Sequence, residues 1–184
     1  MKRKNYIWSV LLHLSRNMWS DKPEQGYSRV LNFDQKTWDE TVEYAAKAGI
    51  NAIVLDVGDA VVYKSHPEIS IEGAWTAEHV SKEIKKLKSL GISLYPKLNL
   101  STTHDAWLGE YGKMVSTQIY YDVCKDLIHE VIDMFENPEY LHLGMDEEWD
   151  EWGIFGVRRD LECSRFNDLY FHDLTFFCDC VREK

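Results

Sequence analysis

Three consecutive acids, Asp146, Glu147 and Glu148, fall near the end of the stretch Tyr140–Trp149, YLHLGMDEEW. They follow an apolar run, Tyr140 to Leu143, that contains His142 and comes after the stop signal Asn137-Pro138. The pattern reads as a short buried strand running directly into carboxylates. Ionised carboxylates at the edge of a core are unfavourable unless paired, hydrogen-bonded or used, so this junction is the candidate chemical centre. Adjacent acids leaving a strand point in different directions. An apolar wall, for which Trp149 and Trp152 are available, can then act on one and leave the other hydrated, as a proton donor beside a charge stabiliser requires. The competing reading is that the acids open a loop or precede a helix, where negative charge suits the helix dipole.

Positioning these residues takes a repeating unit. Tyr6–His13 reads as a first strand by alternation, and Thr37-Trp38-Asp39-Glu40 as a capping box opening a helix that Gly49 stops. Asn51–Val57 is a second strand ending in Asp56. Thr76 caps a second helix, with Val80, Ile84, Leu87 and Leu90 on its stripe, and Gly91 ends it. Ser93–Leu98 is a third strand. Ser116 or Thr117 caps a helix carrying Tyr120, Val123, Leu127, Ile128, Val131, Ile132 and Phe135, and Tyr140–Gly144 is a fourth strand. A last helix starts near Asn167 and buries Leu169, Tyr170, Leu174, Phe177 and Val181.

Four strand-then-helix units imply an α/β chain with parallel strands and right-handed crossovers. Links from helix to strand are short, whereas links from strand to helix run to about twenty residues, far above the usual two to six. All the long loops leave the carboxyl ends of the strands, where sites sit in barrels and open α/β sheets alike. A doubly wound sheet would read apolar on both faces of its inner strands. Here alternation puts Tyr95, Lys97 and Asn99 on one face of the third strand, His142, Gly144 and Asp146 on one face of the fourth, and Asp56 on the second. The expectation is a TIM-barrel-type architecture of four parallel strands and four helices, a single (β/α)4 portion over residues 1–184. That is half of the eight units a closed barrel needs. Its open inner face and edges would call for cover, for which a second copy of the chain is the candidate.

With 21 basic against 31 acidic residues, the net charge of −10 repels phosphate backbones and anionic lipid, so nucleic acid and membrane surfaces are poor partners. The opening MKRKNYIWSVLLHLS has a basic start and a short apolar run but no small-residue cleavage site, and reads as a strand rather than a signal peptide. Cys124, Cys163, Cys178 and Cys180 match no zinc spacing and read as reduced thiols, which points to the cytoplasm. A metal site could be drawn from His13, Asp56, His104, His142 and Asp146. The H-x-H and H-E-x-x-H patterns that would support it are missing, so no metal or cofactor is expected.

His142-Leu143-Gly144-Met145-Asp146-Glu147 resembles the H-x-G-G-D-E signature that ends strand four of the β-N-acetylhexosaminidases, which are (β/α)8-barrel glycoside hydrolases, with Met145 replacing the second glycine. Pro96-Lys97-Leu98-Asn99 and His104 resemble that family's P-E-x-D and P-G-H, with Lys97 and Asn99 where the family has acids and no proline-glycine. The segments NLSTTHDAWLG and LHLGMDEE also resemble a group of uncharacterised bacterial proteins on the same barrel. The resemblance spans the amino-terminal half of the family's barrel. It implies that Glu147 is the general acid at a glycosidic oxygen and that Asp146 orients a substrate 2-acetamido group acting as internal nucleophile. A carbohydrate would then be the partner, with His104 and Asp105 on sugar hydroxyls. Asp56, Asn99 and His142 would line the site, and Lys97 would be a structural ion-pair partner. His142 could equally be a satisfied core histidine and His104 a solvated loop residue. Trp19, Trp75, Trp107, Trp149 and Trp152 fall in the long loops, where an indole suits stacking on a pyranose. A half barrel that keeps the motif but binds sugar without turnover, or serves structure alone, is the alternative function.

Overall fold

Short polar side chains fix where the helices begin. In the computed structural model, which describes residues 6–145, 147–148 and 165–184, Asp34 accepts from the Thr37 amide at 2.7 Å and opens α1 (Gln35–Lys47). Thr37 is therefore inside the helix rather than its cap. Thr76 caps α2 (Ala77–Ser89) and Thr117 caps α3 (Gln118–Met134), each hydroxyl accepting from the amide three residues on. The backbone leaves α3 through Glu136 and Asn137, both at positive φ, just before Pro138. Asn167 precedes α4 (Asp168–Arg182).

Three parallel strands, β1 (Ser9–His13), β2 (Ala52–Asp56) and β3 (Ser93–Lys97), pair in sequence order. Strand β1 starts later than its alternation suggests because the Asn51 side chain takes over the pairing before it, accepting from the Trp8 amide and donating to the Tyr6 carbonyl. The expected fourth strand is a correction. Residues 141–144 run beside β3, with His142 donating to Pro96 and accepting from Leu98, but they form one bridge, Lys97 with His142. Gly144, at φ +68°, turns the backbone out of the extended region, so no longer ladder can form there. The third long loop holds a 3-10 turn, Ala106–Lys113.

Ile53, Leu55, Leu94 and Pro96, with half-buried Val10 and Leu12, share the sheet face that meets the helices. The opposite face carries three rows in register: Ser9, Ala52 and Ser93; then Leu11, Val54 and Tyr95; then His13, Asp56 and Lys97 at the carboxyl ends. Leu11 is 40% exposed and Tyr140, whose ring meets that of Tyr95 edge-on, is exposed as well. Consecutive strand order with a polar upper row fits a portion of a TIM-barrel-like fold and departs from the doubly wound alternative, whose order reverses at a switch point.

The helix stripes hold with two corrections. Leu90 falls beyond the end of α2 and Leu169 on α4 is exposed, while Asp173 and Cys180 join Phe177 on the buried side of α4. In α2 a glutamate occupies the stripe. Glu83 is fully buried, accepting from the Trp38 indole at 2.7 Å and from Gln35 at 3.2 Å, with Lys86 at 3.7 Å. It ties α1 to α2 across the Trp38–Trp75–Phe33 aromatic cluster. Glu83→Ala leaves the indole donor unsatisfied beside a void and should lower the unfolding free energy by about 2–4 kcal/mol in denaturant titration. Glu83→Gln, which keeps an acceptor, should lose less.

Candidate functional site

Everything at the carboxyl ends of the strands is organised by hydrogen bonds between residues far apart in sequence. Asp56 closes β2, buried, and its Oδ2 receives His13 Nδ1 from β1 at 2.7 Å and Asn99 Nδ2 at 2.5 Å. Asp56 Oδ1 and Asn99 Oδ1 are buried acceptors without a donor among the described residues. A Cβ on Gly144 would sit 2.2 Å from the Leu98 carbonyl and 2.9 Å from Asn99 Oδ1. The glycine that resembles part of the signature is thus required by close approach of two backbones as well as by its positive φ. The side chain of His142, an exposed residue, accepts the Gly144 amide at Nδ1, 3.0 Å, and so braces its own turn.

One turn beyond β2, Asp59 is buried between Ser15 Oγ at 2.5 Å and Asn17 Nδ2 at 2.7 Å. Burial drives its pKa up from 3.8 to about 6, against the lowering effect of the two donors and with help from the Asp56 charge. Asn17 also exchanges hydrogen bonds with the Ser28 backbone, so this carboxyl anchors the long loop after β1.

The two described acids of the run are treated differently. Glu147 is 66% exposed at its side chain, its Oε2 lying 3.5 Å from His104 Nε2. The His104 ring, with Ser101 Oγ 3.3 Å from Nδ1, lies edge-on to Trp19, centroids 6.2 Å apart. The Glu147 carbonyl accepts from the Thr103 hydroxyl. Glu148, only 11% exposed, turns inward to the fully buried Arg165, which donates to it from Nη2 at 2.8 Å and Nε at 3.0 Å. Thr102 adds its amide and hydroxyl, at 3.3 Å and 3.2 Å, to the same carboxylate. Arg165 also donates to the Leu100 carbonyl and, at 3.4 Å, to Asp173. Burial works against ionisation of Asp173, but Ser116, Tyr121, His172 and Arg165 together hold its carboxyl below the usual range. Burial and the bond to Asp173 push the Tyr121 phenol up to about 12.

Of the residues singled out from sequence, Glu147 and His104 come together, as do Asp56 and Asn99. Asp146 and Trp149, with Trp152, lie outside the described residues. Asp105 is fully buried. Trp107 is buried too, its indole donating to the Asn99 carbonyl at 2.8 Å and stacking over Tyr63, and Trp75 belongs to the α1–α2 aromatic cluster. Neither indole presents an open ring face, whereas Trp19 is half exposed beside His104. Lys97 is buried in the upper row next to Asp56. Among the described residues no three His, Cys, Asp or Glu side chains gather in a way that would hold a metal ion. Asp59, Arg165 and the Thr102-Thr103 pair were not singled out. The one available signal for them was the run of small hydroxyl residues in LSTTHD, since Arg165 meets its partners across 17 and 65 residues of chain.

With this geometry, the chain is similar to solved structures of β-N-acetylhexosaminidases. The β-N-acetylhexosaminidase of Bacteroides fragilis superposes with a TM-score of 0.66 at 15% identity, over 96% of this chain and 40% of that one. The exo-β-N-acetylglucosaminidase of Vibrio harveyi, solved with N-acetylglucosamine, gives 0.63 at 16% identity, over 84% and 32%. The N-acetyl-β-hexosaminidase of Streptomyces plicatus gives 0.57 at 16%, over 76% and 32%. The chain shares its fold with part of these enzymes and spans about a third to two-fifths of their length. No protein-family model and no curated protein matches the sequence.

Two outcomes follow from the geometry. Gly144→Ala should lower the unfolding free energy by about 2 kcal/mol or more in thermal unfolding, because a rigid backbone carbonyl blocks the new methyl. For Asp59, the folded chain holds a proton between pH 3.8 and about 6 that the unfolded chain has released. Its contribution to stability therefore falls as pH rises through that window and is flat above it. Asp59→Asn should gain on the wild type across the same window, by up to about 3 kcal/mol, and track it above pH 7.

Proposed function

We propose that the chain carries the acid-bearing part of a glycosidase, hydrolysing the O-glycosidic bond of a 2-acetamido sugar. The observation that supports this best is the pairing of exposed Glu147 with the positioned imidazole of His104, 3.5 Å apart, at the strand ends of a fold shared with β-N-acetylhexosaminidases. In this reading Glu147 gives its proton to the glycosidic oxygen as the bond to the anomeric carbon breaks. The substrate's acetamido oxygen, oriented by Asp146, bonds to that carbon in place of the departing group. Water then opens the cyclic intermediate, returning a proton to Glu147.

The remaining roles follow from exposure. His104 faces the acid and orients it, Trp19 offers a ring face for stacking, and Trp149 remains a candidate for the same task. Asp56 and Asn99, each 1% exposed, support the strand ends from beneath, leaving His13, 44% exposed, and exposed His142 for sugar hydroxyls. Asp105 and Trp107, both buried, support the loop that carries His104.

A second reading, a half barrel that binds sugar or serves structure without turnover, is favoured by the open inner face around Leu11, Tyr95 and Tyr140. A second copy covering that face is part of the proposal. Light scattering should then report twice the mass of one chain, and a stable monomer would remove the second copy. A chromogenic N-acetyl-β-glucosaminide tests the chemistry. Wild type should exceed Glu147→Gln by about 100-fold or more in kcat, and equal rates would leave the binding reading in its place.

A further inference from the structure

We propose that Arg165 and Glu148 form a positioning pair that sets the direction of Glu147, an inference that rests on Glu147 being the reacting acid. Neighbouring residues in an extended or turning backbone point apart, so anchoring one side chain fixes the bearing of the next. Glu148 is anchored from several sides. Arg165 grips both its carboxylate oxygens side-on, at 2.8 and 3.0 Å, and Thr102 supplies an amide and a hydroxyl. Arg165 is itself immobilised. It is fully buried, hydrogen-bonded to the Leu100 carbonyl and Asp173, and bounded by the rings of Tyr120 and Phe177 with centroids about 6 Å away.

The same loop that holds Glu148 holds its neighbour. The Thr102 hydroxyl shares its one hydrogen between the Glu148 carboxylate and the Glu148 carbonyl, each at 3.2 Å, and Thr103 donates to the Glu147 carbonyl. Ser101, one residue earlier, contacts His104 and takes the Gly144 carbonyl on its amide. Strand end, acid and imidazole are therefore referred to one short segment, residues 100–104, and Arg165 clamps the acid-bearing backbone to it from the far side.

A buried ion pair is weak evidence of a stability role, because apolar residues of similar volume commonly serve stability as well or better. The planar two-point grip adds direction, which a point charge on lysine does not supply. Misplacing a reacting group by about 1 Å can cost about 100-fold in rate. The pair is thus better explained by orientation than by cohesion.

The test separates orientation from folding and from turnover. Glu148→Gln, Arg165→Lys and the double variant Arg165→Met/Glu148→Leu are made in the whole chain and screened for native unfolding temperature. The NMR signals of the His104 ring are then recorded beside those of Glu147→Gln, and the chromogenic N-acetyl-β-glucosaminide is assayed. The expected result is that folded variants move the His104 signals toward those of Glu147→Gln and lower kcat about 10- to 100-fold with KM within about 3-fold. The double variant should recover stability without recovering the His104 signals. Movement of the ring signals when the wild type itself turns over no substrate supports the clamp while removing the glycosidase reading. His104 signals that stay at wild-type positions in folded variants overturn the proposal, whatever the activity.

Discussion

Parallel register is the constraint on which the rest of the structure depends. Because His13, Asp56 and Lys97 lie level across β1, β2 and β3, every strand ends at the same height and every long loop leaves on the same side. Parallel strands cannot be joined by tight turns, so each return passes through a helix on the apolar face and leaves the other face free for a polar upper row. One residue of slip would turn Asp56 into the helix layer and Leu55 into the opening, reversing both faces at once. The site is in this sense a consequence of pairing, and its residues come from four segments that have no local reason to meet.

The upper layer is polar and buried, which is costly unless every charge finds a partner. The chain answers with pairings across long stretches of sequence: His13 and Asn99 on Asp56, Ser15 and Asn17 on Asp59, Arg165 on Glu148 and Asp173. Each of these also determines where a loop lies. The loop after β1 is held by Asp59, the loop after β3 by Asn99 through Trp107, and the acidic segment by Arg165. Glu83 does the same between α1 and α2, at the side of the sheet where no chemistry is called for.

Much of the fold was legible in sequence because its signals are local. Periodicity and caps gave α2 and α3 within a residue or two, short apolar runs gave β2 and β3, and alternation gave the polar face of the sheet. The fourth strand was overread, since an apolar run reports burial and says nothing of Gly144 turning the backbone away. Asp34 displaced Thr37 as a cap because both are competent and tertiary placement chose between them. At the site, the acidic run and His104 stood out by type. The roles of the individual acids did not, because adjacent glutamates are indistinguishable until a distant arginine selects one of them. Loop tryptophans were equally ambiguous: Trp75 and Trp107 complete the core against Trp38 and Tyr63, each more than 30 residues away, and Trp19 lies open beside His104.

Exposure of Glu147 does not by itself argue for chemistry, since a loop glutamate with no task would be exposed as well. The surroundings carry the argument. His104 is 13% exposed and fixed between Ser101 and Trp19, and it turns its Nε2 edge toward the acid. Solvation alone asks for none of this, because a free carboxylate is satisfied by water and a free imidazole loses rotamer freedom when it is held. The neighbouring Glu148 meanwhile takes up the anchoring that a structural acid would provide, leaving Glu147 without a packing function. In the proposed glycosidase, an acid that contributes little to cohesion, on a backbone held at both of its carboxylate-bearing positions and facing an ordered imidazole, is suited to reaction.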